Sequence, residues 1–463
     1  MTKLKFDYNN MMSAMIGAEG FSDADLIAAK DKLASVAAAV VSKKGIGWQE
    51  WMELPYAPKA EIDEIVMSGR EIAKSASSWV VFGIGGSALG PLAVAASLLH
   101  LKHNDLSENR RKAPKLYIED NVDPERINAL FDVIDIKTAY FNVITKSGET
   151  SETLSQFLII YDLLKEKLGV TEAKKRVFVT TTVGKGSLYK VSAKEGFKIY
   201  GVGSGVGGRF SVLCPVGLLT FAVMGIDIHA MLGGARKMTE RCMESGYAEN
   251  PALLTAFLMV EASKKGKNIS VMMPYADSLK YMADFYCQLW GESLGKALDL
   301  EGNLINAGQT PVKSLGVTDQ HSQVQLYTEG PYDKVVIFLA VEKFRSEAVI
   351  ADGCADIGDF LKGRTMGELL DAERVATEFA LSKANRLNYT VIFPEVDAVA
   401  IGEFLTYLMW QTAYAGHLLN IDTFNQPGVE EGKLATFAML GRKGYEEKLK
   451  EIKSNPKNKK YIV

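Results

Sequence analysis

Cysteine and histidine are scarce in this chain, numbering four and five among 463 residues. Cys214, Cys242, Cys287 and Cys354 stand far apart, with neither the spacing of a metal site nor the density of a disulfide framework. Reduced thiols in a cytoplasmic protein are the expectation. His100 and His103 lack the carboxylate or cysteine partner that would complete a metal site, and read as surface residues. Net charge is low as well: a formal value of -3 gives no general attraction to nucleic acid or to an anionic membrane. Any anionic ligand must then be held by a local site. Long apolar runs are also missing, since none approaches the roughly 18 residues needed to span a bilayer. The N-terminal stretch MTKLKFDYNN has no apolar signal-peptide core, so neither membrane insertion nor secretion is expected.

The length exceeds what one hydrophobic core usually supports, which points to two packed domains. Residues 1–78 carry helical patterns, notably from Asp23 to Val41 behind a Ser22 or Asp23 cap, and read as a helical N-terminal segment packing on the second domain. Over residues 79–224 the period changes. Short β-branched stretches at Trp79–Phe82, Lys115–Glu119, Tyr140–Thr145, Val177–Thr182 and Phe197–Val202 alternate with helical ones, which predicts a mostly parallel sheet covered on both faces. Residues 225–442 repeat that grammar without repeating its letters. Strands are predicted at Ile269–Met273, Val335–Ala340 and Tyr389–Phe393, with long helices over Ser278–Leu298, Met366–Ala384 and Ala398–Asn420. Residues 443–463 form a lysine-rich helix and tail, read as solvated rather than as a nucleic-acid patch. The fold class is therefore α/β, with two units of similar plan.

Four stretches in this frame suit chemistry. In WVVFGIGGSALGP, from Trp79 to Pro91, a strand runs through Gly83, Gly85 and Gly86 into a helix start. Such a turn offers free backbone amides and a positive dipole end to an anion. It suits a phosphate, a dinucleotide or simply close helix-on-sheet packing. After YFNVIT come Thr145, Lys146, Ser147, Gly148, Glu149 and Thr150, hydroxyls and a lysine at another strand-to-helix turn. This pattern fits a phosphomonoester, and equally an ordinary capping box. In open parallel sheets ligands sit beyond the carboxyl ends of the strands, so the two loops can face one phosphate together. Arg209, flanked by Gly207 and Gly208, presents fixed positive charge where a backbone can approach closely, as a developing oxyanion requires. Glu292 lies in an apolar helical pattern beside Trp290 and Gly291. Partial desolvation there would raise its pKa from about 4.3 toward a useful general-base value.

Taken together, these motifs resemble the glucose-6-phosphate isomerase (phosphoglucose isomerase) family, in its bacterial branch, over essentially the whole chain. GVGGRFSVLCP (Gly205 to Pro215) and FNQPGVEEGK (Phe424 to Lys433) match the family signatures closely, and GIGGSALGP, the Ser/Thr loop, GESLGK and the pair Gln320-His321 follow in family order. The resemblance implies two sugar-isomerase (SIS) domains and an aldose–ketose isomerase of glycolysis and gluconeogenesis that acts on a sugar phosphate through a cis-enediolate, with no metal and no cofactor. It implies a homodimer with shared active sites. By motif, Glu292 becomes the base, Arg209 the group steadying the enediolate, and Lys433 with His321 the ring-opening pair, His321 arriving from the second subunit. Gly86, Ser87, Thr145, Lys146, Ser147 and Thr150 become the phosphate contacts. Gln288 and Gln426 become the sugar contacts.

Three letters depart from the family pattern: Asn425, Ser204 and Glu149. The third matters most, because a carboxylate beside a phosphate is unfavourable unless it points away or pairs with a cation. Two other readings compete. A sugar-phosphate sensor on the same fold would be free to lose Glu292 and Lys433. A dinucleotide enzyme expects a third glycine where Ala88 stands, and an acidic residue earlier than Glu119 or Asp120.

Overall fold

Five strands of the first half pair side by side, all parallel, in the computed structural model, which describes residues 2–353 and 358–463. Cys354, counted above, lies outside the described residues. After a short N-terminal strand β1 (Lys5–Asp7), the first sheet is built from β2 (Ser78–Phe82), β3 (Lys115–Glu119), β4 (Ala139–Ile144), β5 (Val177–Thr181) and β6 (Lys198–Gly201) in the order β3-β2-β4-β5-β6. Every residue of β2 and β5 is buried, which is why they read as continuous β-branched and aromatic runs without alternation. Phe82 lies opposite both Glu119 and Val143 in the register. The chain leaves β2 toward one neighbour and later returns to its other side as β4. The gap between β2 and β4 is thus the point where strand order reverses, and the Gly83 and Thr145 loops open there.

The second sheet contains β7 (Ile269–Pro274), β10 (Thr310–Lys313), β11 (Lys334–Lys343) and β12 (Asn388–Glu395), in the order β1-β12-β11-β7-β10. Its four parallel strands repeat the arrangement of the first four strands of the other sheet. Between β7 and β10 the chain also forms a two-stranded hairpin, β8 (Lys296–Leu298) with β9 (Leu304–Ala307).

Three expectations needed correction. The N-terminal segment is not helical throughout: β1 adds an antiparallel edge to β12, and buried Glu403 accepts the backbone amides of Lys3 and Leu4 at 2.8 to 3.0 Å. The helix predicted over Ser278–Leu298 spans Lys280–Leu294, because the chain turns at Gly295 into β8. β10 was not foreseen, since TPVK holds a proline; Pro311 is tolerated because β10 is the sheet edge. Among the described residues no helix is long and apolar enough to cross a membrane. The most apolar of the long helices, Ala398–Leu418, is buried from Ala400 to Gly416 and packs against the helices Ile228–Cys242 and Pro251–Lys264.

The helix Lys280–Leu294 runs back from the end of β7 and packs on the helix Leu89–Leu98 of the first unit. Its far end lies near the amino ends of its own sheet, where the space above Gly291 is closed by Pro311. The two units therefore face each other unlike ends first: loops at the carboxyl edge of one, a helix terminus from the other.

Candidate active site

The glycines of the Gly83 loop have no room for side chains. A Cβ on Gly86 would lie 2.2 Å from the carbonyl carbon and oxygen of Gly208 and 2.7 Å from the Arg209 nitrogen. Gly85, at φ +56°, faces the Gln288 amide nitrogen at 2.9 Å from where its Cβ would be. Glycine at these two places lets the loop rest directly on the Arg209 turn and on the second unit's helix. Ser87 ends this turn and is half-buried.

The neighbouring loop holds three hydroxyls in a triangle. Thr145 Oγ1 is 2.7 Å from Thr150 Oγ1, and Ser147 Oγ lies 3.3 and 3.4 Å from the two. Thr150 occupies the N-cap position of the helix Ser151–Leu168, yet its side chain makes no capping bond. The hydroxyls bond among themselves, so the helix's first amides remain available to an anion. This disposes of the simple capping-box reading. Lys146 turns elsewhere: its Nζ donates to the Ser204 carbonyl at 3.0 Å and lies over the Trp48 ring, and burial lowers its pKa to about 8. Glu149 points away from the triangle. Its carboxylate accepts the Ser187 amide at 2.7 Å, at the start of the helix Gly186–Glu195, and lies 3.7 Å from Arg442.

Arg209 is 3% exposed and is the junction of the site. Nε donates to Ser293 Oγ at 2.6 Å, and Nη1 donates to Glu292 Oε1 at 3.1 Å and to Gln426 Oε1 at 2.6 Å. Nη2 donates to the carbonyls of Thr423 at 2.6 Å and Asn425 at 3.3 Å. Burial pulls the guanidinium below its usual pKa and the Glu292 carboxylate opposes that pull; an arginine stays charged even so. Glu292 keeps a side chain 24% exposed, and its second oxygen accepts from Gln288 Nε2 at 3.0 Å, one helical turn earlier. The Gln288 side-chain oxygen is buried with no protein partner. Buried acceptors are normally satisfied, so this one is an opening for a ligand hydroxyl.

The fold thus gathers Gly86, Gln288, Glu292, Arg209 and Gln426 through direct contacts, with Ser87 on the same short turn as Gly86. Lys433 and His321 stand outside this network. Lys433 is exposed on the helix Glu430–Met439 and pairs with Glu430 at 2.7 Å. His321 is exposed at the end of the turn Thr318–His321 with no polar partner among the described residues. Sequence reasoning missed Ser293 and Thr423, one a side chain and the other a bare carbonyl. Only Ser293 had a signal, its place beside Glu292 in GESLGK.

The family model for phosphoglucose isomerase matches residues 59–456. The chain belongs to the phosphoglucose isomerase family. It is similar to a glucose-6-phosphate isomerase of Carboxydothermus hydrogenoformans, 51% identical over 99% of each chain, and to one of Rubrobacter xylanophilus, 39% identical over 96% of this chain and all of that one. Among solved structures, a hypothetical protein from Thermus thermophilus superposes with a TM-score of 0.85 at 33% identity, covering 95% of this chain and 100% of that one. A glucose-6-phosphate isomerase from Chlamydia trachomatis shares the fold, with a TM-score of 0.80 at 20% identity over 98% of this chain and 92% of that one. Two parallel α/β units are therefore the phosphoglucose isomerase architecture as well as the one read from strand periodicity.

Proposed function

We propose that this chain interconverts glucose 6-phosphate and fructose 6-phosphate through a cis-enediolate. The observation that carries the reading is the Glu292–Arg209 contact of 3.1 Å beside the Gly83 loop, a carboxylate and a fixed cation meeting where an anion-ready turn opens. In the forward direction Glu292 removes the C2 proton of the open-chain aldose. The C–H electrons become the C1=C2 bond, and the carbonyl π pair becomes the oxyanion on O1. Glu292 then returns the proton to C1 as the O2 proton passes to O1 and C2 becomes the carbonyl carbon. Nothing is oxidised or reduced overall.

Arg209 faces negative charge at every stage. Before transfer it is paired with the Glu292 carboxylate; afterwards that carboxyl is neutral and the charge sits on the enediolate. The guanidinium is already held by four other acceptors and need not reorganise, which is the condition under which a fixed charge is most effective. Ser87, the Thr145–Ser147–Thr150 triangle and the free helix amides hold the phosphate, with Lys146 as a nearby cation. Holding the sugar at its phosphate end brings C1 and C2 to the base. Gln288 and Gln426 bond sugar hydroxyls, and Lys433 and His321 exchange protons with the ring oxygen and the C1 hydroxyl. A coupled assay on purified protein with no cofactor added should show turnover in both directions, and a well-folded sample without turnover would remove the proposal.

Exposed Lys433 and His321 support a further part of the reading, a homodimer in which His321 serves the partner's site. Co-expressed Glu292→Gln and His321→Ala protomers, each inactive alone, should recover activity, because one site of a mixed dimer keeps both groups. Absence of recovery would assign His321 to its own chain. A cytoplasmic setting fits the same reading, with Cys214, Cys242 and Cys287 all unpaired.

A further inference from the structure

The helix that carries Glu292 ends two residues later, at Leu294. A helix terminus leaves its last carbonyls without internal partners and concentrates partial negative charge there. Both features are adverse to a carboxylate in the last turn. Lys296 meets both: its Nζ donates to the carbonyl of Glu292 at 2.9 Å and to that of Ser293 at 2.7 Å. The residue is 7% exposed. It has no carboxylate partner within ion-pair distance among the described residues, and it lies in the repulsive field of Arg209. An ammonium buried beside a guanidinium is an expensive way to end a helix that Gly295 already allows to turn. The two carbonyls it holds belong to Glu292 and Ser293, two of the three residues whose side chains accept from Arg209.

We propose that Lys296 is a positioning residue for the isomerisation, its ammonium locking the last turn so that Glu292 and Ser293 both meet Arg209. It also places a second positive charge behind the base. The proposal rests on the reading of Glu292 as that base.

Burial lowers the Lys296 amine to about 8, Arg209 pushes in the same direction, and Asp422 and Glu292 push back. Those are the charged groups facing it: Arg209 from the turn Gly208–Phe210, Asp422 from the stretch after the helix Ala398–Leu418, and Glu292 on its own helix. The sign follows directly. Below that pH the amine is charged and the lock is complete; as pH rises through it the charge is lost and turnover falls.

Steady-state kinetics across pH decide the matter. In Lys296→Met, kcat should drop on the order of 100-fold, the scale of a small misplacement of a catalytic group, while KM moves by no more than about threefold. In Lys296→Arg the side chain stays charged, so much of the kcat should return and the alkaline fall in kcat near pH 8 should disappear. A Lys296→Met enzyme within about twofold of the parent kcat overturns the proposal. If Lys296→Met does not fold, Lys296→Gln is read in its place, and a kcat within about twofold of the parent overturns the proposal there too. Glu292→Gln separates the two layers: an active Glu292→Gln enzyme removes the base assignment itself. An inactive one beside a normal Lys296→Met removes only the role of Lys296.

Discussion

Glu292→Gln should lower kcat by about 10²- to 10⁴-fold, the usual contribution of a positioned general base, and leave KM close to its original value. The amide has the carboxylate's shape, and its oxygen can still accept from Arg209 Nη1 where Glu292 Oε1 does now. The site therefore survives geometrically. What disappears is the ability to hold a proton between C2 and C1. Interactions lost only in the transition state lower kcat and kcat/KM together, which is the pattern expected here. Exchange of the C2 proton with deuterated solvent, followed by NMR, tests the assignment without relying on net conversion. If exchange in Glu292→Gln keeps near the parental rate, the base is another group.

Replacing Arg209 should be the most damaging change to the molecule as a whole. Arg209→Lys retains a positive charge but cannot reproduce a planar fork whose three nitrogens serve five acceptors. Acceptors left unpaired in a buried site cost about 1 to 3 kcal/mol each, and breaking one partner of a buried charged network about 3 to 5 kcal/mol. A destabilisation of several kcal/mol is expected, read as a lower urea midpoint. Alongside it kcat should fall about 10²- to 10³-fold, the cost of removing one oxyanion donor. Comparison with Arg209→Met separates charge from geometry. Equal damage in the two variants would mean that the fork matters more than the charge. A lysine variant with parental stability and turnover would refute the junction described here.

What was legible beforehand follows burial. β2 and β5 were readable because both faces are covered and nearly every letter is apolar or β-branched; the helix Asp23–Val41 was readable to the residue. β1, β8, β9 and β10 were not, being three or four residues long and placed at edges or in a hairpin, where packing leaves little pattern. In the site, side chains with a motif around them were found, and Arg209, Glu292, Gln288 and Gln426 do touch. The carbonyls of Thr423 and Asn425 carry no side-chain signature at all. Lys146 and Glu149 were legible as residues of the loop but not in direction: the ring of Trp48 draws one away, and the Ser187 amide draws the other.

The bonds of Arg209 have a temporal side. They join positions 83 to 217 residues apart, from Ser293 and Glu292 to Gln426. No stretch emerging early from the ribosome contains both ends. Each half can build its own parallel sheet from nearer neighbours, whereas contacts of such separation close late because a long loop must be ordered first. Arg209 therefore remains an unpaired, water-accessible guanidinium until the halves have docked. Recovery of activity on refolding is thus a clock for that docking and not for the formation of either sheet.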